Sequence, residues 1–107
     1  MQSINKVVLQ GVVGNIRIRD FKDTKVANIS LATEFSYKKN AETICETTWH
    51  NVVVWQYMTD INLMDLKKGD NVYVEGRIKN VKYTNAEGRD VTYTEINASE
   101  FRYAKQE

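Results

Sequence analysis

The sequence predicts an all-β fold: a five-stranded barrel with one helix between the third and fourth strands, filling residues 1–107 as a single domain. Three observations predict it. Runs of period-two alternation, rich in Val, Ile and aromatic residues, recur five times along the chain. Only one segment carries helix start and stop signals, and it falls between the third and fourth runs. Glycines interrupt the first run, as they do where a strand must bend at the corner of a small barrel.

Ile4–Val13 is the first strand, with Val7 and Leu9 on one face and Lys6, Val8 and Gln10 on the other. Gly11 and Gly14 interrupt it, and Ile16-Arg17-Ile18-Arg19 resumes the alternation with both arginines on one side. Asp20–Lys25 is a polar turn. In the second strand, Val26–Tyr37, strict alternation puts Ala27, Ile29, Leu31, Thr33, Phe35 and Tyr37 on one face. Ile29 and Leu31 mark that face as core, so Tyr37 points inward unless a bulge near Thr33–Phe35, or curling of the strand, turns it out. Lys38–Glu46 reads as a mobile, charged hairpin loop.

The third strand, Thr47–Met58, organises the rest. It contains no Gly or Pro, and alternation splits it into Trp49, Asn51, Val53, Trp55 and Tyr57 on one face and Thr48, His50, Val52, Val54 and Gln56 on the other. Val52 and Val54 supply a core. The opposite face holds both tryptophans of the chain. Left open to solvent, it is a flat aromatic surface suited to stacking nucleic-acid bases, each of which has a π-face. The competing reading is that both indoles belong to the core.

Thr59–Lys68 is the predicted helix. Thr59 or Asp60 can cap its start, Lys67 and Lys68 favour its C-terminus, and Gly69 suits the position just beyond. Ile61, Leu63, Met64 and Leu66 would cover an open barrel end. Asn71–Tyr83 is the fourth strand, with Val72, Val74, Gly76 and Ile78 inward and Tyr73, Glu75, Arg77, Lys79, Val81 and Tyr83 outward. Asn85-Ala86-Glu87-Gly88 forms a hairpin turn, and Val91–Phe101 returns as the fifth strand. The strands flanking this turn are long enough for the hairpin to project.

Composition narrows the function classes. No apolar run is long enough to span a bilayer, and no signal-peptide pattern is present. Cys45 is the only cysteine, which excludes an internal disulfide and fits a reducing, cytoplasmic or nucleoid setting. It also has no Cys or His partner at ligand spacing, so neither a metal nor a cofactor is expected. No phosphate-binding glycine loop, nucleophile motif or acidic metal cluster supports an enzyme, and no catalytic residue is assigned. A formal net charge of +1 leaves phosphate binding to the distribution of charge.

Three strands, one helix and two strands is the order of the OB-fold, a partly open barrel that binds oligonucleotides through strands 2–3 and two of its loops. The tryptophan strand is then the third, where such barrels bind ligand. The residues also resemble those of the bacterial single-stranded DNA-binding protein (SSB) family. The matching stretches are Asn5–Leu9 with Gly11 and Gly14, Val26–Thr33, Thr48–Val53 with its Trp-His pair, Leu66–Gly69 and Val72–Gly76.

The resemblance implies binding of single-stranded DNA without strong sequence preference, by a homotetramer acting in replication, recombination and repair. It assigns base stacking to Trp49, Trp55, Tyr37 and Tyr83. It assigns the DNA backbone to Lys6, Arg19, Lys38, Lys67, Lys68, Lys79 and Lys82. It puts His50 and Tyr73 at subunit contacts, and Val8, apolar on the far face of strand 1, joins them on grounds of its own exposure. Asn51, Tyr57 and Val81 depart from the family by standing where basic residues are common. The family's disordered acidic tail, whose tip recruits other replication proteins, has no counterpart at Ala104–Glu107. That leaves a tail-less version or a shortened chain, and makes recruitment of such proteins doubtful. Two other readings stay open: an OB module binding RNA, or one serving only as a protein or oligosaccharide interaction domain.

Overall fold

The computed structural model describes residues 1–105. Gln106 and Glu107, the end of the stretch compared above with an acidic tail, lie outside the described residues. Five strands, β1 (Val7–Phe21), β2 (Thr24–Lys39), β3 (Glu42–Trp55), β4 (Asn71–Thr84) and β5 (Asp90–Tyr103), close into a barrel in the order β1-β2-β3-β5-β4. Every neighbouring pair is antiparallel except β3 and β5, which run parallel over Val52↔Ile96 and Val53↔Asn97. This is the OB architecture.

β1 serves two partners because it bends. Its first half pairs with β4 and its second half with β2. Between Val13↔Leu31 and Ile16↔Ile29 two residues, Gly14 and Asn15, oppose the single Ser30, and the Asn15 N–H donates to Ser30 Oγ at 2.8 Å. The extra residue switches parity, so Leu9 and Val13 face the core before the bulge and Ile16 and Ile18 after it. The glycines therefore mark the corner that alternation anticipates. The core is aliphatic apart from Phe101, with Leu31, Val52, Val54, Val72 and Val74 fully enclosed.

The helix expected at Thr59–Lys68 does not form. Two single 3₁₀ turns, Gln56–Met58 and Leu63–Asp65, stand in the β3–β4 connection. Side chains take the backbone groups that an α-helix would use. Gln56 Nε2 donates to the Ile61 carbonyl at 2.6 Å, and the Leu63 N–H donates to Gln56 Oε1 at 2.9 Å. Thr59 Oγ1 donates to the Phe101 carbonyl at 2.7 Å, and Asn62 Oδ1 accepts from the Met64 N–H at 3.1 Å. Ile61, Leu63 and Leu66 close the barrel end as expected, but Met64 faces solvent.

Lys38–Glu46 is likewise not a loop. β2 and β3 stay paired out to Lys39↔Glu42, and Asn40 and Ala41 make the whole turn with φ of 52° and 67°. Two consecutive positive φ values give the twist that a two-residue hairpin needs. The β4–β5 turn is the one expected: Gly88 has φ +79°, and Asn85 Oδ1 accepts from the N–H groups of Glu87 and Arg89. Both hairpins outrun the barrel, as their exposed outer halves show.

Candidate nucleic-acid interface

Register decides which side chains share a surface. Paired residues in adjacent strands lie on one face, so each row of partners can be followed around the barrel. On the outer surface one row runs Val12, Ala32, Trp49. A second runs Arg17, Asn28, Val53, Asn97, Arg77 across all five strands, and a third runs Arg19, Val26, Trp55. Trp49 and Trp55 thus face the same way, six strand residues or about 20 Å apart. Arginines stand on both sides of the space between them.

The two indoles differ in setting. Trp49 is 60% exposed and lies over Gly14. Trp55 is half-buried between Phe21, edge-on at 5.5 Å, and Tyr57, tilted at 6.0 Å. Neither belongs to the enclosed core. A groove of about 570 Å³, lined by Arg17, Asn28, Ser30, Asn51 and Tyr93 among others, runs between their rows. Asn28 Oδ1, in its wall, is buried without a hydrogen-bond partner. Lys68 lines a smaller hollow beside Trp49.

Tyr83 joins this surface. Beyond the bulge at Glu75/Gly76, the outer side of the β4–β5 hairpin carries Arg77, Lys79, Val81 and Tyr83 opposite Asn97, Glu95, Tyr93 and Val91. Tyr83 packs edge-on against Tyr93 at 5.7 Å. Tyr37 does not join it. It lies on the other ladder face of the β2–β3 hairpin, the one that carries Leu31 and His50 lower down. That face is core only as far as the barrel reaches. Beyond Thr33 it meets solvent, so no bulge is needed to expose Tyr37, which stacks on Phe35 at 5.9 Å and donates to Glu46 Oε1 at 3.3 Å.

The cations also divide. Arg19 shares the Trp55 row, Lys79 the Tyr83 face, and Lys38 the Trp49 side of its hairpin. Lys67 adjoins Lys68 at the barrel end. Lys6 is held by Glu75 at 3.1 Å, which raises its pKa and lowers that of the carboxyl. Lys82 projects from the opposite side of the hairpin to Tyr83 and pairs with Asp90 at 3.4 Å. Val8 and Tyr73 share the outer wall of the β1–β4 pair, where the Arg102 guanidinium covers the Tyr73 ring at 4.0 Å. His50 is elsewhere, half-buried at the barrel rim, with Nε2 2.8 Å from Thr33 Oγ1.

Arg77 and Tyr93 are the residues that strand-by-strand reading does not single out, and it ranks Arg17 below Lys79 and Lys82 as a phosphate contact. Their signal lies in cross-strand register, which no single strand contains. Among the described residues, no cluster of His, Cys, Asp or Glu could hold a metal ion, and no helix is long and apolar enough to cross a membrane.

The model of the Single-strand binding protein family matches residues 4–104. The chain belongs to this family. Among its relatives are the single-stranded DNA-binding proteins of two Neisseria meningitidis strains, of serogroups A and B, each 35% identical over 103 residues. The match takes in 94% of this chain but 59% of either relative, so the chain spans less than two thirds of their length. Among solved structures, a Plasmodium falciparum SSB in complex with ssDNA is similar at a TM-score of 0.78 and 31% identity, over 98% of both chains. Membership in the SSB family accords with the barrel order and with the Trp-His strand.

Proposed function

We propose that this chain is a non-enzymatic binding protein for single-stranded DNA that coats the strand without strong sequence preference. The observation that carries the proposal is the outer surface on which Trp49 and Trp55 face the same way with Arg17, Arg19 and Arg77 among their rows. Bases stack on exposed rings, and each stack contributes about 1–3 kcal/mol whatever the base. Arginines and lysines between the rings track the phosphates. Tyr83 continues the path onto the β4–β5 hairpin. Tyr37 can take part only if the strand passes over the β2–β3 hairpin edge to its other side.

Likeness to the relatives and to the ssDNA complex supports the same reading. We further propose assembly as a homotetramer, which would let several weak surfaces hold one strand and multiply their affinity. Replication, recombination and repair, at the nucleoid, are the processes in which such a protein serves. Titration of tryptophan fluorescence with oligo(dT), oligo(U) and duplex DNA tests the proposal. Strong quenching by oligo(dT), weaker by oligo(U) and none by duplex is expected. Equal response to RNA, or no response to any of the three, would sink it.

A further inference from the structure

The aromatic surface does not stop at Trp55. Tyr57, 77% exposed, lies beside the Trp55 ring with its own ring tilted 35° from it, outside the end of β3. Phe21 braces Trp55 from the other side at 84°, edge-on, so one indole is held between a buttress and a neighbour that faces solvent.

Trp55 and Tyr57 together form one wall of a groove of about 540 Å³. That volume lies within the range of small-ligand sites. Gly76 and Ala98, beside the β5 bulge at Ser99, line it with almost no side chain, and a Cβ at Gly76 would stand 2.2 Å from the Asn97 carbonyl oxygen. Lys6 and Arg77 bring positive charge. The Glu75 carboxylate also lines the groove, but Lys6 Nζ holds it at 3.1 Å. Arg77 is in no ion pair among the described residues. In the other direction, past Phe21, the charges are mixed: Asp20, Asp23 and Asp60 line the next hollow together with Lys22 and Lys25, and Asp20 is paired to Lys25 at 2.6 Å.

We propose that Tyr57 is a further base-stacking residue, and that Tyr57, Trp55 and Arg77 hold one additional nucleotide of single-stranded DNA in this groove. The inference rests on the single-stranded DNA reading above. The base lies against the Tyr57 ring. Its phosphate meets the Arg77 guanidinium, the cation that is free to receive it. The path is thus extended by a ring at a position where charge is common in the family.

The test is binding of fluorescently labelled oligo(dT) of graded length, by anisotropy and over a range of salt, to the wild type and to Tyr57→Ala, Tyr57→Phe and Arg77→Ala. Tyr57→Ala is expected to lose about 5- to 150-fold in affinity with its salt slope unchanged, the loss of one stack. Tyr57→Phe is expected to bind like the wild type. Arg77→Ala is expected to flatten the log–log slope by about 0.7, one phosphate fewer. If the wild type binds oligo(dT) and Tyr57→Ala binds equally well at every length, this inference is wrong and the broader reading stands. A loss in Tyr57→Phe as large as in Tyr57→Ala would assign the effect to the hydroxyl and overturn stacking. A wild type that does not bind oligo(dT) overturns the broader reading itself. Circular dichroism melts that agree among the variants establish that each is folded.

Discussion

Trp49 rests on Gly14. The indole crosses the β1 bulge so closely that a Cβ at Gly14 would stand 2.6 Å from Trp49 Cζ3 and 2.7 Å from Ser30 Oγ. The glycine that bends β1 is therefore also the seat of the most exposed ring on β3. Gly14→Ala is expected to lift the indole and change its near-ultraviolet circular dichroism. Trp49→Ala is expected to weaken oligo(dT) binding by about 1–3 kcal/mol with little change in melting temperature, because the ring is largely in solvent. A collapse of the melting temperature, with affinity per folded molecule intact, would make Trp49 a core residue.

Salt dependence separates the lysines of the β4–β5 hairpin. Lys79 shares a face with Tyr83, whereas Lys82 points the other way and is paired with Asp90 at 3.4 Å. Lys79→Ala is expected to flatten the salt slope by about 0.7 and Lys82→Ala to leave it unchanged. Isothermal titrations at several salt concentrations check this. A steeper dependence on Lys82 than on Lys79 would contradict the assigned path.

Acid is expected to weaken the β1–β4 wall. The hydrogen bond from Lys6, with Tyr73 and Glu100 beside it, holds the Glu75 carboxyl below its ordinary value of 4.5. A carboxyl whose pKa is lowered on folding stabilises the fold fully above its unfolded value and loses that contribution as pH falls through the folded one. Melting temperatures measured from about pH 6 down to pH 3 should therefore fall less steeply in Glu75→Gln than in the wild type. Parallel curves would leave the Lys6–Glu75 pair without weight in the stability of the fold.

Val8 tests assembly. It is 53% exposed on the same wall as Tyr73, and an apolar outer face of this kind is what a symmetric oligomer covers. Light scattering at micromolar concentration is expected to give a tetramer without DNA, and Val8→Glu to give smaller species with an unchanged circular dichroism spectrum. A monomeric wild type that still binds long poly(dT) tightly would remove the tetramer from the mechanism.

Alternation within strands carried most of the fold. It found the five strands, the inward faces of β2 and β3, and the corner at Gly14. It failed where a rule of local sequence met a nonlocal competitor. Thr59–Lys68 has helix caps, but Gln56 and Thr59 spend their side chains on Ile61, Leu63 and Phe101, and the helix loses its backbone partners. Tyr37 was ambiguous because "inward" has meaning only where a barrel exists, and β2 runs past its end. Trp49 and Trp55 were legible as a pair from one strand. Arg17 and Arg77 were not legible as their neighbours, since that relation passes through Asn28, Val53 and Asn97 on three other strands.

The parallel join between β3 and β5 is brief, two residue pairs against the full-length ladders of the hairpins on either side. Hairpins assemble from neighbouring residues within microseconds, whereas this join must bring together segments far apart in the chain. The local arms therefore form more readily than either of the two joins between them, β1–β4 and β3–β5, of which β3–β5 is the shorter. Val53 and Asn97 lie in the shorter join, and they are also the centre of the row on which the strand is proposed to lie. A strand bound there clasps the shorter of the two joins, so occupancy should slow hydrogen exchange at Val53 and Asn97 before it slows exchange elsewhere in the barrel.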